Sequence, residues 1–287
     1  MKTITLSLLI IFLFLISCTS SPNTTSPTYN FRQGVSELNF RMLPNAPPPK
    51  IYPESNFKLI LEADNNAAYA INNLAVTIVG LDDKYFLLNI YEQKIPTMYG
   101  KSLSSPIGDK QFLEFDGISN KLFQNAQYYT GNYLVKASYQ SKIEFADTIC
   151  LNPNLYSTND AGCKVQDKKS YGGQGGPLAV DGIEQITYPS GTGGLVEFRV
   201  NLANKGRGKV NTITLINSNL GGEEMDCEFL GDNVITPKMI KMTNEKQQAT
   251  LRCKTFIKEQ NSYASSLSLS FAYDYEFKQQ FKLNLVK

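Results

Sequence analysis

Apolar and polar side chains alternate without interruption from Leu267 to Phe277. Odd-numbered residues in this stretch are apolar or aromatic, and even-numbered residues are small or polar. A period of two is typical of a β-strand with one buried face. The alternation is repeated in 281–285 after the polar Lys278-Gln279-Gln280, so the sequence predicts a C-terminal antiparallel hairpin.

Strand patterns of this kind occur throughout the chain, and no long stretch after the N-terminal apolar run keeps the 3.6-residue period of a helix. Turn-forming Gly, Asn and Asp residues separate the short apolar or alternating segments. This organisation predicts an all-β fold, built as two tandem immunoglobulin-like antiparallel β-sandwiches. The predicted strands include 57–61, 74–81, 85–91, 111–115, 133–139, 143–149, 196–202 and 251–257.

A Gly-rich stretch divides the chain. Residues 168–177 read Lys-Lys-Ser-Tyr-Gly-Gly-Gln-Gly-Gly-Pro, a composition typical of an interdomain linker. A phosphate-binding loop would lead into a helix, whereas here Pro177 leads into a strand-like segment. We therefore expect one sandwich over 35–167 and a second over 178–287.

A polar turn recurs at a similar place in each half. Glu62–Tyr69 reads Glu-Ala-Asp-Asn-Asn-Ala-Ala-Tyr, and Leu202–Val210 reads Leu-Ala-Asn-Lys-Gly-Arg-Gly-Lys-Val. Each turn follows an alternating strand near the beginning of its half. The repetition predicts two copies of one sandwich type.

The N-terminus has the pattern of an export signal. Met1-Lys2 precedes an apolar run that is too short to span a bilayer comfortably, so 1–17 is predicted to be a signal peptide. Leu15-Ile16-Ser17-Cys18 resembles the lipobox of prokaryotic lipoproteins, which implies lipidation of Cys18 and attachment to the outer side of the membrane. An ordinary signal peptide, and hence a secreted protein, is the alternative. The Ser-, Thr- and Pro-containing segment 18–34 is expected to be a flexible stalk.

The cysteine count supports the same compartment. The chain has five cysteines, so one is left unpaired in an exported protein. Cys18 stands apart, and the other four form two local pairs, Cys150 with Cys163 and Cys227 with Cys253. We predict both pairs to be disulfides. Cys227 shares the alternating phase of Met225 and Phe229, and Cys253 shares that of Leu251 and Ile257, so the second pair is expected to face the core. Zinc binding is not expected, because the chain has no histidine and no Cys-x-x-Cys pair.

A short alternating segment before the first sandwich ends in prolines. Gly34–Met42 alternates, and the following residues include Pro44 and Pro47–Pro49. The segment is expected to form the first edge strand, with the prolines protecting that edge. An alternative function is a filament subunit that donates 29–50 as a strand to the next copy.

Catalytic chemistry has little support in the sequence. The absence of histidine excludes Ser-His-Asp and Cys-His catalysis. The acidic clusters Asp82-Asp83 and 223–228 are interpreted as solvated charges; calcium is the functional alternative, with no ligand assigned. The formal net charge of +2 is spread without a basic stripe, so nucleic-acid binding is not expected. No catalytic residue, metal or cofactor is predicted, and the chain is expected not to be an enzyme.

The second half resembles a known family. Val196–Val210, with Asn204-Lys205-Gly206 at its turn, resembles CARDB-type domains, which are immunoglobulin-like adhesion modules of archaeal and bacterial surface proteins. The whole chain also resembles exported proteins of small-genome archaea, through Asn45–Pro49 and Gly172–Gly175. The resemblance implies adhesion or binding to other envelope or surface proteins, including copies of itself. A glycan- or solute-binding lipoprotein is a further alternative.

Overall fold

Strands form all the regular secondary structure in the part of the chain described by the computed structural model, residues 30–123, 125–153, 162–190, 193–259 and 261–287. All pairings between named strands are antiparallel, so the all-β prediction is confirmed. These residues contain no helix able to cross a bilayer. The predicted signal peptide and Cys18 lie outside the described residues.

The first half contains seven strands in two sheets. One sheet has the order β1-β2-β6-β4, and the other contains β7-β3-β5. The strands are β1 (Leu38–Met42), β2 (Asn56–Asn65), β3 (Ile71–Val79), β4 (Phe86–Leu88), β5 (Glu92–Met98), β6 (Lys110–Ser119) and β7 (Tyr128–Leu151).

The second half repeats this strand order and adds three short strands. Its strands are β8 (Lys168–Ser170), β9 (Leu178–Ser190), β10 (Gly193–Asn204), β11 (Lys209–Leu220), β12 (Glu223–Glu224), β13 (Asp226–Leu230), β14 (Val234–Thr236), β15 (Met239–Lys241), β16 (Gln248–Ile257) and β17 (Tyr263–Val286). The order β9-β10-β16-β13 matches β1-β2-β6-β4, and β17-β11-β15 matches β7-β3-β5. The predicted internal repeat is confirmed.

The two halves are joined by one long ladder. β7 and β17 are each 24 residues long and pair antiparallel along their whole length, from Tyr128 opposite Val286 to Leu151 opposite Tyr263. At about 3.4 Å per residue, the ladder is about 80 Å long. The predicted C-terminal hairpin is therefore wrong, and so is the predicted break between Tyr139 and Ile143.

The ladder is continuous because the alternation never changes phase. Odd-numbered residues face the core in both strands, including Gln279 in the polar stretch where a turn was expected. Lys278-Gln279-Gln280 also lacks the Gly, Pro, Asn or Asp that a tight turn favours. Both shorter sheets therefore pack on the same face of the long sheet, and the opposite face is solvent-exposed.

The two predicted sandwiches are not separate compact units. Residues 31–287 form one compact unit, because each half supplies part of its last strand to the sheet of the other half. The end of β7 lies beside the first part of β17 in the second sandwich, and the end of β17 lies beside the first part of β7 in the first sandwich.

The predicted linker is also part of this unit. Residues 168–170 form β8, which pairs with β9, and 174–177 are buried. Gly175 donates its N–H to the carbonyl of Gly34 and accepts from the N–H of Ala68, both at 2.8 Å. Its φ of +77° and its close approach to Phe31 and Ala68 suit a residue without a side chain. Gly34 forms a β-bridge with Gln174, and Arg32 pairs with Glu144, so these two residues of the predicted stalk 18–34 belong to the compact unit.

The strand predicted at the first edge is confirmed. β1 pairs with β2 at the edge of the four-stranded sheet, and Leu38 and Phe40 are buried in the core of the same chain. β1, which the filament alternative would donate as part of 29–50, is thus paired within its own sandwich.

The end of β7 lies in the second sandwich, and side chains cover the exposed edge of the strand there. The hydroxyl of Tyr69 binds both the N–H and the carbonyl of Glu144 at 3.1 Å. Lys169 donates to the carbonyl of Thr148, and Gln185 donates to the carbonyl of Cys150. Backbone groups that another strand could use are therefore already occupied.

Candidate binding surface

One end of the first sandwich is rich in aromatic side chains. It is built by the connections β1–β2, β3–β4, β4–β5 and β6–β7 and by the start of β7. We call it the aromatic end, and its members are Tyr52, Tyr85, Tyr91, Phe123, Tyr128 and Tyr129.

A stacked tyrosine pair fixes the base of this end. The rings of Tyr85 and Tyr129 lie 3.9 Å apart between centroids, with an interplanar angle of 24°. The Tyr129 hydroxyl donates to the carboxylate of Asp82 at 3.2 Å, and another oxygen of Asp82 accepts from the N–H of Lys84. Burial, followed by the contact with Asp82, raises the pKa of Tyr129 above its usual value. Tyr129 is therefore a stable hydrogen-bond donor at neutral pH.

Polar contacts fix the neighbouring loops. The amide of Asn120 donates to the carbonyl of Asp83 at 3.1 Å, and the N–H of Leu88 donates to the hydroxyl of Tyr91 at 3.3 Å. The hydroxyl of Ser119 donates to the carbonyl of Tyr52 at 2.6 Å. Hydrogen bonds between side chains and backbone groups thus hold these loops in place.

Three aromatic side chains of this end remain open to solvent. The exposed fractions are 74% for Tyr128, 71% for Phe123 and 58% for Tyr52. Aromatic side chains provide large contact areas with few rotatable bonds, and they are enriched where proteins bind partners. The aromatic end is chemically suited to binding.

Sequence reasoning did not single out this surface. Several tyrosines on the alternating strands belong to the core, among them Tyr133, Tyr139 and Tyr273. The strand phase distinguishes Tyr128, because even-numbered residues of β7 point away from the core. No comparable signal exists for Tyr52 and Phe123, which lie in irregular loops.

Both predicted disulfides are present. Cys150 is bonded to Cys163, and Cys227 is bonded to Cys253. Cys227 and Cys253 are register partners on β13 and β16 and are buried, as their shared phase with apolar neighbours predicted. Two disulfides indicate that the folded chain resides in an oxidising, extracytoplasmic compartment.

The acidic cluster of the second half is engaged in ion pairs. Glu224 contacts Lys238 at 3.0 Å, and Glu228 pairs with Arg252. Within the described ranges, no group of three or more acidic, cysteine or histidine side chains is arranged to hold a metal ion.

The Asn motif behind the family resemblance forms the same turn in both halves. The side-chain oxygen of Asn204 accepts from the N–H of Gly206 at 3.0 Å, and its amide donates to the carbonyl of Gly208 at 2.7 Å. Asn65 makes the equivalent bonds to Ala67 and Tyr69, at 3.1 and 3.0 Å. The turn forms in the first half without the glycine of the motif.

No protein-family model matches the chain, and no curated protein sequence matches it. Among solved structures, the secreted serine protease VesC from Vibrio cholerae aligns at 12% identity over 81% of this chain and 49% of that chain, with a TM-score of 0.21. This chain thus spans about half the length of VesC. The YadV chaperone aligns at 9% identity over 80% of this chain and 90% of that chain, with a TM-score of 0.21. An enterococcal surface protein fragment aligns at 10% identity over 86% of this chain and 85% of that chain, with a TM-score of 0.20. At these scores the fold assignment rests on the strand pairing described above.

Proposed function

We propose that this chain is a non-enzymatic protein of the cell envelope. In this proposal a lipid on Cys18 tethers it to the membrane, and the aromatic end binds other envelope or surface proteins. The two disulfides support the extracytoplasmic part of the proposal. The paired turns at Asn65 and Asn204 support a relationship of both halves to CARDB-type adhesion modules.

The observation that carries the binding role is the exposure of Phe123, Tyr128 and Tyr52 at one end of the sandwich, where hydrogen bonds hold the neighbouring backbone at Tyr52 and Asp83. A preformed surface loses little conformational entropy when a partner arrives. A few aromatic anchors commonly dominate the binding free energy of a protein interface.

The ladder supports a role in which the aromatic end is displayed at a fixed distance. β7 and β17 cross the whole length of the unit without a break. The aromatic end is therefore held about 40 Å from the middle of the ladder, given about 3.4 Å per residue.

The test is capture of partners from intact envelopes by cross-linking, with wild type compared with the double variant Phe123→Ser/Tyr128→Ser. The matched control is Tyr188→Ser/Phe256→Ser, which removes an exposed tyrosine and an exposed phenylalanine from the second half. We expect the first variant to lose the captured proteins, with affinity falling about 30-fold or more, as for hot-spot residues. The control should retain them.

Equal capture by wild type and both variants would contradict binding through the aromatic end. Binding of the wild type to purified surface glycans, lost in the Phe123→Ser/Tyr128→Ser variant, would identify a carbohydrate rather than a protein as the occupant.

A further inference from the structure

A second exposed apolar surface lies at the middle of the unit. The connection between β5 and β6, residues 99–109, exposes three apolar side chains, and we call it the apolar loop. The exposed fractions are 78% for Leu103, 68% for Tyr99 and 64% for Ile107. Exposed apolar side chains gathered in one loop mark an interaction site more often than scattered ones do.

The apolar loop has a defined conformation. Its base is closed by a bond from the N–H of Tyr99 to the carboxylate of Asp109 at 2.7 Å and by the return bond from the N–H of Asp109 to the carbonyl of Tyr99 at 3.0 Å. Near its tip, the N–H of Ser102 donates to the carbonyl of Ser105, and the N–H of Ser105 donates to the Ser102 hydroxyl, both at 2.9 Å. The exposed side chains are therefore held outward by bonded backbone.

The apolar loop lies next to the place where the N-terminal chain joins the unit. The backbone of Gly100 packs so closely on Tyr69 that an added Cβ would be 2.6 Å from the Tyr69 nitrogen. The centre of the Tyr69 ring lies 5.7 Å from the guanidinium carbon of Arg32. Arg32 is held there by Glu144 at 3.3 Å. Tyr69 thus contacts both the apolar loop and the first residues of the unit.

The distance to the proposed lipid site limits how far this region can be from a membrane. Cys18 precedes Arg32 by 14 residues. Even a fully extended chain of this length spans at most about 50 Å. A lipid on Cys18 therefore keeps Arg32 within that distance of the bilayer, and Tyr69 links Arg32 to the apolar loop.

We propose that the apolar loop inserts into the surface of the lipid bilayer as a second membrane contact. This inference rests on the proposed lipid tether at Cys18. Tyrosine favours the boundary between lipid headgroups and acyl chains, and leucine and isoleucine gain free energy by entering the apolar layer. Stable membrane attachment commonly needs a second contact besides a lipid chain, and the apolar loop supplies it.

A fluorescent probe on the apolar loop tests the insertion. The lipidated full chain with Ser104→Cys carries one free thiol, because Cys18 is lipidated and the other cysteines are in disulfides. An environment-sensitive fluorophore at this position should shift to the blue on protein-free vesicles of phosphatidylcholine and phosphatidylglycerol, and lipid-borne quenchers should quench it. The control position is Ser266→Cys, on the solvent-exposed face of β17, where neither change is expected.

A second experiment removes the lipid. The Cys18→Ser chain should bind the same vesicles weakly, and Leu103→Ser/Ile107→Ser in that background should reduce the partition coefficient about tenfold or more. The matched control is Val79→Ser/Ile216→Ser, which replaces two exposed aliphatic residues elsewhere.

The outcomes separate the apolar loop from the tether. If the lipidated chain sediments with vesicles while the Ser104 probe stays unchanged, the inserted loop is refuted and the tether stands. If the wild-type chain carries no lipid, the tether is refuted, and vesicle binding by the Cys18→Ser chain then tests the apolar loop alone. Binding that is abolished by Leu103→Ser/Ile107→Ser supports insertion of the apolar loop. Absence of binding by the Cys18→Ser chain refutes it.

Discussion

The hydroxyl of Tyr275 donates a hydrogen bond of 2.6 Å to the carboxylate of Glu37, although the two residues lie 238 positions apart. The N–H of Gly208 donates to the same hydroxyl oxygen at 2.6 Å, and Arg207 forms an ion pair with Glu37. Burial, followed by the bond to Glu37, raises the pKa of Tyr275, so its hydroxyl remains a donor at neutral pH. One network thus joins the residue before β1, the turn after β10 and the middle of β17.

Tyr275→Phe should lower the free energy of unfolding by about 2 kcal/mol, because the mostly buried carboxylate of Glu37 and the N–H of Gly208 each lose a partner. Denaturant titration at pH 7 measures the change. Tyr263→Phe is the control, since its hydroxyl makes an exposed contact with Glu259 at 3.2 Å, and its cost should stay below about 0.5 kcal/mol. Equal losses in the two variants would show that the network does not stabilise the unit.

A fragment of residues 178–287 should not fold by itself. Without β7, the ladder partner of β17 is absent, and buried residues such as Phe277, Leu283 and Leu285 face water. Size-exclusion chromatography and circular dichroism should show aggregated or molten material, whereas 31–287 should unfold in one cooperative transition. A soluble fragment with its own cooperative transition would restore the two-domain description.

The two disulfides should differ in their reaction with a mild reductant. Cys150 and Cys163 are half-buried, whereas Cys227 and Cys253 are almost fully buried. Thiol–disulfide exchange requires access to a sulfur atom. Under native conditions, alkylation and mass mapping should therefore detect opening of Cys150–Cys163 first. The hypothesis fails if Cys227–Cys253 opens first while the chain is still folded.

Replacing both Cys227 and Cys253 by alanine should cost more stability than replacing Cys150 and Cys163. The bonded residues are 26 positions apart in the first pair and 13 in the second. The chain-entropy relation gives about 3.6 kcal/mol for the longer loop and about 3 kcal/mol for the shorter one. Urea titration of the two double variants measures the order, and the reverse order would contradict it.

The contribution of Asp147 to stability should disappear in acid. Burial by itself would raise the pKa of Asp147, but hydrogen bonds from Lys169 at 2.6 Å and Tyr171 at 2.7 Å hold it below its usual value. The stabilisation is therefore present above the unfolded-state pKa of about 3.9 and is lost as the pH falls through the lower folded-state pKa.

The comparison of wild type with Asp147→Asn between pH 7 and pH 2 tests this contribution. Wild type should be more stable at pH 7, and the difference should shrink below about pH 4. Asp232→Asn, an exposed substitution in the turn after β13, is the control and should show no such trend. A difference that stays constant with pH would refute the assignment.

The strands were predictable where the pattern was local. The alternation at Leu267–Phe277 and the shared phase of Cys227 and Cys253 identified a strand face and a disulfide before the pairing was known. The length of the ladder was not predictable in the same way. Pairing between β7 and β17 joins residues more than 100 positions apart, and no local pattern specifies that register.

Composition was misleading at the Gly-rich stretch. Gly175 occupies a left-handed conformation against Phe31 and Ala68, so the glycine serves close packing rather than flexibility. The apolar loop and the loop residues of the aromatic end, such as Tyr52 and Phe123, were missed because loop positions have no period from which exposure can be inferred.

The antiparallel ladder also determines how the chain responds to force. Tension that pulls β7 at one end of the ladder and β17 at the other acts parallel to both strands. The backbone hydrogen bonds of many residue pairs then carry the load at the same time and do not open one after another. Forced rupture depends on the unfolding rate and not on equilibrium stability. Under such tension, the mechanical strength of this protein is therefore a property of one uninterrupted pair of strands.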